Sequence, residues 1–306
     1  MKKWTKARIK KLLACETDKQ LQRAFPQLSV DILRRYQRKF TPHRARANIY
    51  RAVILPDFHY PLHSEICWRV VQKFLSWFRP HEIVLLGDAL ELQSIDHWKK
   101  EKENVKYFEG KKLLKEYEGF IKEILEPLEK LCPNAKKVYM GGNHEDWAYQ
   151  LVDKQPQLEG LVEPELAMKL EQRGWSWIPF IQKDKGGNYL RGIYHIGKLT
   201  LIHGQYSNIY HAAKTSQAYE KSTVYGHTHD LQMYCKVHTE DPGDWHSAMS
   251  IGCLCDKSPS YLWGKPNRWV HAFGVLYVRP DGLFNLYVPV IINGQFVFDG
   301  QLFDGN

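Results

Sequence analysis

Five short polar blocks, each at the end of an apolar run, carry the residue types of a metal centre. They are Asp57-Phe58-His59, Gly87-Asp88, Gly142-Asn143-His144-Glu145, His203-Gly204 and Gly226-His227-Thr228-His229. Their aspartates, asparagine and histidines form a ligand set for two adjacent cations, and paired cations are a device for attacking phosphate esters. In an extended Asp57-x-His59 segment both side chains leave on the same side, and His227 and His229 repeat that geometry. Asp88 has two oxygens and can bridge two cations, which a neutral histidine with one free lone pair cannot do. No block contains cysteine, and mixed nitrogen and oxygen ligands suit manganese, iron or zinc better than a thiolate site would.

The blocks need elements to carry them. Ala52-Val53-Ile54-Leu55 precedes Asp57, Ile83-Val84-Leu85-Leu86 precedes Asp88, and Val138-Tyr139-Met140 precedes Asn143. Leu199-Thr200-Leu201-Ile202 leads into His203, and Thr223-Val224-Tyr225 into His227. Short apolar runs bounded by glycine or proline predict buried strands. Ligands in α/β sheets gather beyond the carboxyl ends of such strands. Five strands are therefore expected to deliver their polar tips to one edge of a sheet, with the glycines turning the backbone where a Cβ would crowd.

In order and in residue type, the blocks resemble the signature of the calcineurin-like metallophosphoesterase family, over roughly residues 52 to 280. The resemblance implies an α/β (α+β sandwich) fold of two stacked mixed β-sheets flanked by helices. It implies that Asp57, His59, Asp88 and His229 hold one metal, with Asp88 bridging, and that Asn143, His203 and His227 complete the second. It further implies that His144 stabilises or protonates the departing oxygen. Two divalent ions are the expected cofactors, manganese first, with iron, zinc or nickel compatible. Glu91 lies near where protein phosphatases of the family place an aspartate that orients this histidine, and is expected to do the same; a solvated glutamate is the alternative. Those phosphatases also carry an arginine that grips the phosphoryl group, whereas this chain reads Gly87-Asp88-Ala89-Leu90-Glu91-Leu92. The missing arginine counts against a dedicated protein phosphatase.

Candidate substrate contacts lie between His203 and Gly226: Tyr206, Asn208, Tyr210, His211 and Lys214, with helical spacing placing Tyr210 and Lys214 on one face. A later aromatic cluster, Tyr261, Trp263 and Trp269 with Lys265, Asn267 and Arg268, reads as a stacking surface for bases or as core packing. Trp263 in its Gly-Lys-Pro loop is the better candidate, while core packing is at least as good a reading of Trp269. Trp147, close to His144, is expected to serve packing.

Charge is unevenly distributed. Residues 1–51 hold 15 Lys or Arg and 3 Asp or Glu, a balance of +12, while the whole chain totals +9, so residues 52–306 carry −3. Such asymmetry points to a polyanion partner. Thr5 to Leu13 has a short helical pattern, Thr17-Asp18 can cap a helix over Lys19 to Phe25, and Ser29 one over Val30 to Phe40. The third presents Ile32, Leu33 and Tyr36 on one stripe and Arg34, Arg35, Arg38 and Lys39 on the other face. The pattern resembles a helix-turn-helix and predicts nucleic-acid contact. The expected division is a small basic helical segment, 1–45, a linker with Pro42, and an enzyme domain, 50–306. A basic arm on a nuclease core is the kind of pairing expected in a phage or mobile element.

The 306 residues, 43% of them apolar, suffice for such a core. No run of eighteen apolar residues predicts a membrane span, and the basic N-terminus lacks the apolar stretch of a secretory signal. Six dispersed cysteines, of which only Cys253 and Cys255 are close, suggest buried reduced thiols and a cytoplasmic protein. Lys111 to Leu131 is an amphipathic helix that Pro127 should kink or restart, and the segment from Trp245 should build much of the second sheet. The expected function is a metal-dependent phosphodiesterase, most plausibly a nuclease. The competing readings are a phosphomonoesterase acting on nucleotides or phosphoproteins, and a nucleic-acid-binding protein whose metals only shape a surface.

Overall fold

The structure is a computed structural model that describes residues 4–15, 17–40, 49–95, 110–240, 243–259 and 262–306. The chain divides into two compact units, Met1–Ile49 and Tyr50–Asn306. The expected linker around Pro42 lies outside the described residues, as does Tyr261.

The first unit is three helices: α1 (Lys6–Leu13), α2 (Asp18–Ala24) and α3 (Val30–Phe40). Thr5 caps α1. Thr17 and Gln20 form a reciprocal capping box on α2, satisfying two backbone donors that helix starts otherwise leave orphaned. Leu12, Leu21, Phe25 and Leu33 bury together, with Trp4, Leu28, Val30 and Tyr36 against them. Ile32, expected on the buried stripe, is instead 44% exposed, because Val30, Leu33 and Tyr36 are the α3 side chains that face the small core. Arg34 is committed to Asp18 of α2, at 2.7 and 2.9 Å, so its charge ties α3 to α2. The side chains of Arg35, Arg38 and Lys39 lie outside the described residues.

The second unit holds two mixed sheets. In the six-stranded sheet β1 (Tyr50–Leu55), β2 (Glu82–Leu86), β3 (Lys136–Met140) and β4 (Trp175–Ile178) run parallel. β12 (Gly274–Val278) and β13 (Phe284–Tyr287) extend it antiparallel on the β1 side. The five-stranded sheet has the order β10 (Leu231–Val237), β11 (Trp245–Ile251), β9 (Thr223–Tyr225), β8 (Leu199–Ile202) and β7 (Tyr194–Ile196), with β11, β9 and β8 parallel. Hairpins β5 (Ile181–Lys183)–β6 (Tyr189–Arg191) and β14 (Gln295–Phe298)–β15 (Gln301–Asp304) stand apart. Of the described strands from Trp245 onward, expected to build much of the second sheet, only β11 joins it. β12 and β13 complete the first, whose β1 would otherwise be an open edge.

Period-two alternation explains the apolar runs. Ala52, Ile54, Val84, Leu86, Val138 and Met140 face the second sheet, packing on Leu199, Leu201, Val224 and Ile251. Their neighbours Val53, Leu55, Ile83, Leu85 and Tyr139 face the helices instead. A strand buried on both faces has no polar alternate positions, so the sequence shows continuous apolar residues.

The helices of this unit are α4 (Glu65–Phe78), α5 (Gly110–Phe120), α6 (Glu126–Leu131), α7 (Asn143–Lys154), α8 (Pro164–Ala167) and α9 (His211–Tyr219). Between α5 and α6 residues 121–125 form a π-helical turn leading to Pro127. Proline lacks the N–H that would bond the Glu123 carbonyl, and the Trp68 indole donates to that carbonyl at 2.9 Å instead. Pro127 thus re-forms the helix without stranding an acceptor. Phe74 of α4 meets the rings of Phe78, Phe273, Phe296, Phe298 and Phe303, all at 5.0–5.6 Å. Phe74→Ala is expected to cost about 3–5 kcal/mol, seen as a lower denaturant midpoint for this unit with unchanged unfolding of the first.

Candidate metal centre

The ligand-bearing tips come from two sheets rather than from the edge of one. β1, β2 and β3 of the larger sheet present Asp57 and His59, Asp88, and Asn143 with His144; β8 and β9 of the smaller present His203, His227 and His229. The side chains are not aimed by extended backbone. Asp57, His59, Asp88, His227 and His229 have φ between 45° and 68°, the left-handed region. Among non-glycine residues Asp, Asn and His enter it most readily. Such positions carry strain of ~1–3 kcal/mol each and cluster at functional sites. Two glycines permit the close approach: a Cβ at Gly142 would lie 2.1 Å from Asp88 Oδ1, and one at Gly226 would lie 2.1 Å from Asp57 Oδ2.

Two ligand groups form. In the first, His229 Nε2 lies 3.2 Å from Asp57 Oδ1 and 3.1 Å from His59 Nε2. In the second, His203 Nε2 lies 3.1 Å from Asp88 Oδ2 and 3.2 Å from Asn143 Oδ1, with His227 alongside. Asp88 Oδ2 is also 3.8 Å from His59 Nε2, so one carboxylate faces both groups. The donor chemistry fits divalent cations. His203 Nδ1 lies 3.0 Å from the Leu86 carbonyl, which can only accept, so Nδ1 carries the hydrogen and Nε2 offers its lone pair inward. These His and Asp clusters could hold metal.

The electrostatics agree. Burial alone would lower the pKa of His59, but the Glu91 hydrogen bond and charge, with Asp88 and Asp57, raise it to about 10. Burial likewise opposes the charge of His203, yet Asp88 and Asp57 raise it to about 9. Asp88 is held well below the usual carboxylate range despite its burial, by His203, His144 and His59. His227 is lowered to about 4, first by burial and then by His203. The negative field that favours protons on His59 and His203 also favours a cation, whose binding would displace those protons.

Glu91 differs from its expected role. Its carboxylate meets His59 Nδ1 at 2.6 Å, whereas His144 Nδ1 donates to the Glu91 backbone carbonyl at 2.7 Å and sits 3.8 Å from the carboxylate. The Gln93 side chain donates to the other oxygen of the same carboxylate at 3.1 Å. A carboxylate behind a ligand imidazole fixes its tautomer and raises its basicity. His144 is oriented instead by that carbonyl and by Trp147, stacked on it at 4.1 Å.

Sequence reasoning missed the role of Glu145. Fully buried, it accepts from the backbone N–H groups of Asp88, Ala89, Leu90 and Gly142, and from Tyr139 Oη. Burial and Asp88 push its pKa upward, but every contact is a donor, which holds the ionised form. Its place one residue after His144, at the start of a helix, was the available signal.

The expected substrate contacts divide. His211 is 2% exposed, with Nδ1 against Tyr225 Oη at 2.7 Å and Nε2 against Asp230 at 3.1 Å. Both nitrogens are engaged in anchoring α9, so His211 does not face substrate. Tyr206 is half-buried and carries the Lys214 ammonium over its ring at 4.5 Å. Trp263 is 86% exposed at a loop tip; the indole that meets a ligand is Trp269, whose ring lies 4.3 Å from that of His229. Cys255 backs the same histidine, its Sγ 3.8 Å from Nδ1, and the cysteines are free thiols. Beside His203 stands Phe180, at 5.7 Å, with the Arg191 guanidinium over its other side at 4.4 Å. The Asp184-Lys185-Gly186-Gly187 turn signalled that hairpin, but nothing local placed it beside the metals.

Glu91→Gln keeps a hydrogen bond to His59 but loses the charge. Metal affinity is expected to fall about 10–100-fold, measured by competition with a chelating dye; unchanged affinity would refute the supporting role.

No family model matches the chain. It is similar to the Gene 54 protein of Mycobacterium phage L5, 23% identical over 264 residues, covering 83% of this chain and 98% of the phage protein. The Gene 54 protein of Mycobacterium phage D29 is 24% identical over 262 residues, with the same coverages of 83% and 98%. Among solved structures, wild-type Vps29 of Entamoeba histolytica complexed with zinc gives a TM-score of 0.41 at 14% identity, covering 84% of this chain and 99% of its own. Vps29 of Cryptosporidium parvum gives 0.40 at 12% identity, covering 83% and 95%.

Proposed function

We propose that this chain is a dinuclear-metal phosphoester hydrolase of the calcineurin-like type, acting on phosphodiesters of nucleic acid. The observation that carries the reading is the convergence of two candidate ligand groups on one buried carboxylate, Asp88, whose Oδ2 lies 3.1 Å from His203 and 3.8 Å from His59. When bound, a pair of divalent cations, manganese foremost, supplies Lewis acidity to the phosphoryl oxygens and lowers the pKa of water.

The chain's own residues do the rest. Asp88 Oδ1 accepts the His144 amide at 3.0 Å, which fixes the carboxylate between the two groups. With Nδ1–H given to the Glu91 carbonyl, His144 presents Nε2 to the centre, 4.0 Å from Asp88 Oδ2. From there it can deliver a proton to the oxygen leaving phosphorus. Arg191 on Phe180 supplies, from another strand, the exposed cation that the Gly-Asp block lacks, and Lys214 on Tyr206 adds a second. Cations supported on aromatic faces suit a polyanion with rings to stack. The basic N-terminal unit, +12 over residues 1–51, is a further polyanion contact in this reading, with Arg35, Arg38 and Lys39 among its basic residues. Among the described residues no helix is long and apolar enough to cross a membrane.

Manganese-dependent turnover of bis-p-nitrophenyl phosphate should exceed that of p-nitrophenyl phosphate, and His144→Ala should lower it by about 10²–10⁴-fold. Preference for the monoester would replace the reading by a phosphatase; no turnover with several metals would leave a binding protein. Replacing Arg35, Arg38 and Lys39 together by alanine should reduce the slope of log affinity against log salt for polynucleotides by about 2–3, and an unchanged slope would remove the N-terminal contact.

A further inference from the structure

Residues 256–259 and 262–269 lie between two segments held together beside the candidate metal centre. The two segments are pinned by Cys253 N–H on the Val270 carbonyl at 2.9 Å and by His271 Nε2 on the Cys255 carbonyl at 2.7 Å. Asn267 adds a further tie: its Nδ2 donates to the Lys257 carbonyl at 2.7 Å, and its Oδ1 accepts the Trp269 amide at 3.0 Å. A loop tied at its ends and packed on itself is a preformed surface feature.

These residues line an open cavity of about 370 Å³, with Lys257, Lys265, Asn267 and Trp269 among its walls. That is within the range of about 300–1,000 Å³ for small-molecule sites. Both lysines are exposed, and none of the described lining residues is a carboxylate. Trp269 is the shared wall, lining the cavity and meeting the ring of His229 at 4.3 Å and 71°. The cavity therefore begins one indole away from a ligand of the first metal group. An aromatic face with two ammonium groups, opening beside a phosphoester centre, matches a planar base carrying its own phosphate.

We propose that this cavity is a subsite for the nucleotide unit adjoining the scissile phosphodiester, the base resting against Trp269 and the next phosphate between Lys257 and Lys265. The proposal rests on the phosphodiesterase reading above and specifies its substrate as an oligonucleotide rather than any diester. Asn267 acts as a positioning residue, since its two hydrogen bonds hold Lys257 and Trp269 in one frame.

The test uses the full-length, manganese-loaded protein, with kcat/KM read on bis-p-nitrophenyl phosphate and on short single-stranded oligonucleotides, as DNA and as RNA. Trp269 is left in place because it also supports His229; the variant is Lys257→Ala with Lys265→Ala, its metal content checked against wild type. The ratio of oligonucleotide to bis-p-nitrophenyl phosphate turnover should fall roughly 5- to 100-fold in the variant. Wild type should show a loss of similar size when the nucleotide beside the cleaved bond is abasic. A ratio unchanged in the variant and indifferent to the missing base would overturn the subsite while leaving the phosphodiesterase reading intact. Absence of turnover on bis-p-nitrophenyl phosphate and on every oligonucleotide would overturn both.

Discussion

Glu145, fully buried at the start of α7, gathers the amides of Asp88, Ala89, Leu90 and Gly142 onto one carboxylate, so the ends of β2 and β3 cannot part without stranding the three donors on the β2 side, Asp88, Ala89 and Leu90. Each buried donor left unmade costs about 1–3 kcal/mol, which holds this junction closed. The junction matters because both sides of it carry ligands. Asp88 sits on one loop, Asn143 and His144 on the other, and the His144 amide on Asp88 Oδ1 completes the connection. The centre is then closed from the second sheet, where the His227 amide donates to both oxygens of Asp57 at 3.0 and 3.1 Å. Backbone amides thus orient both aspartates before any cation contributes.

Double-sided burial gives the arrangement its register. Residues 52, 54, 84, 86, 138 and 140 face one apolar layer and their neighbours face another. A slip of one residue in β1, β2 or β3 would exchange the two layers and withdraw the polar tips together. Core packing and site geometry are therefore one constraint, enforced by the aromatic cluster around Phe74 on the helical side and by the smaller sheet on the other.

Much of this was legible in the residues. The five blocks combine ligand chemistry with apolar approach runs, so both the strands and the side chains they carry could be named. What the blocks could not reveal was which strands share a sheet, because β12 reaches β1 from more than two hundred residues away. Nor could spacing distinguish an extended Asp57-x-His59 from one turned through left-handed backbone. Glu91 follows Asp88 by three residues, but that spacing does not say which imidazole its carboxylate meets; the packing of two loops sets it against His59. His211 looked like a polar group on an exposed helix start; its burial depends on Tyr225 and Asp230 lying opposite, which is tertiary information. Trp263, in its Gly-Lys-Pro loop, is the better candidate from local sequence, yet tertiary packing sets Trp269 against His229 and leaves Trp263 in solvent.

The left-handed backbone at Asp57, His59, Asp88, His227 and His229 restricts what evolution can place there. Branched and bulky side chains are penalised at such dihedrals, while glycine, asparagine, aspartate and histidine are tolerated. Replacing a ligand by asparagine or glycine would therefore remove charge or a lone pair while relieving or preserving the local conformation. Loss of chemistry and retention of architecture are neighbouring steps in sequence space for this fold. The shape of the centre can therefore outlast its set of donor atoms through a handful of conformationally cheap exchanges.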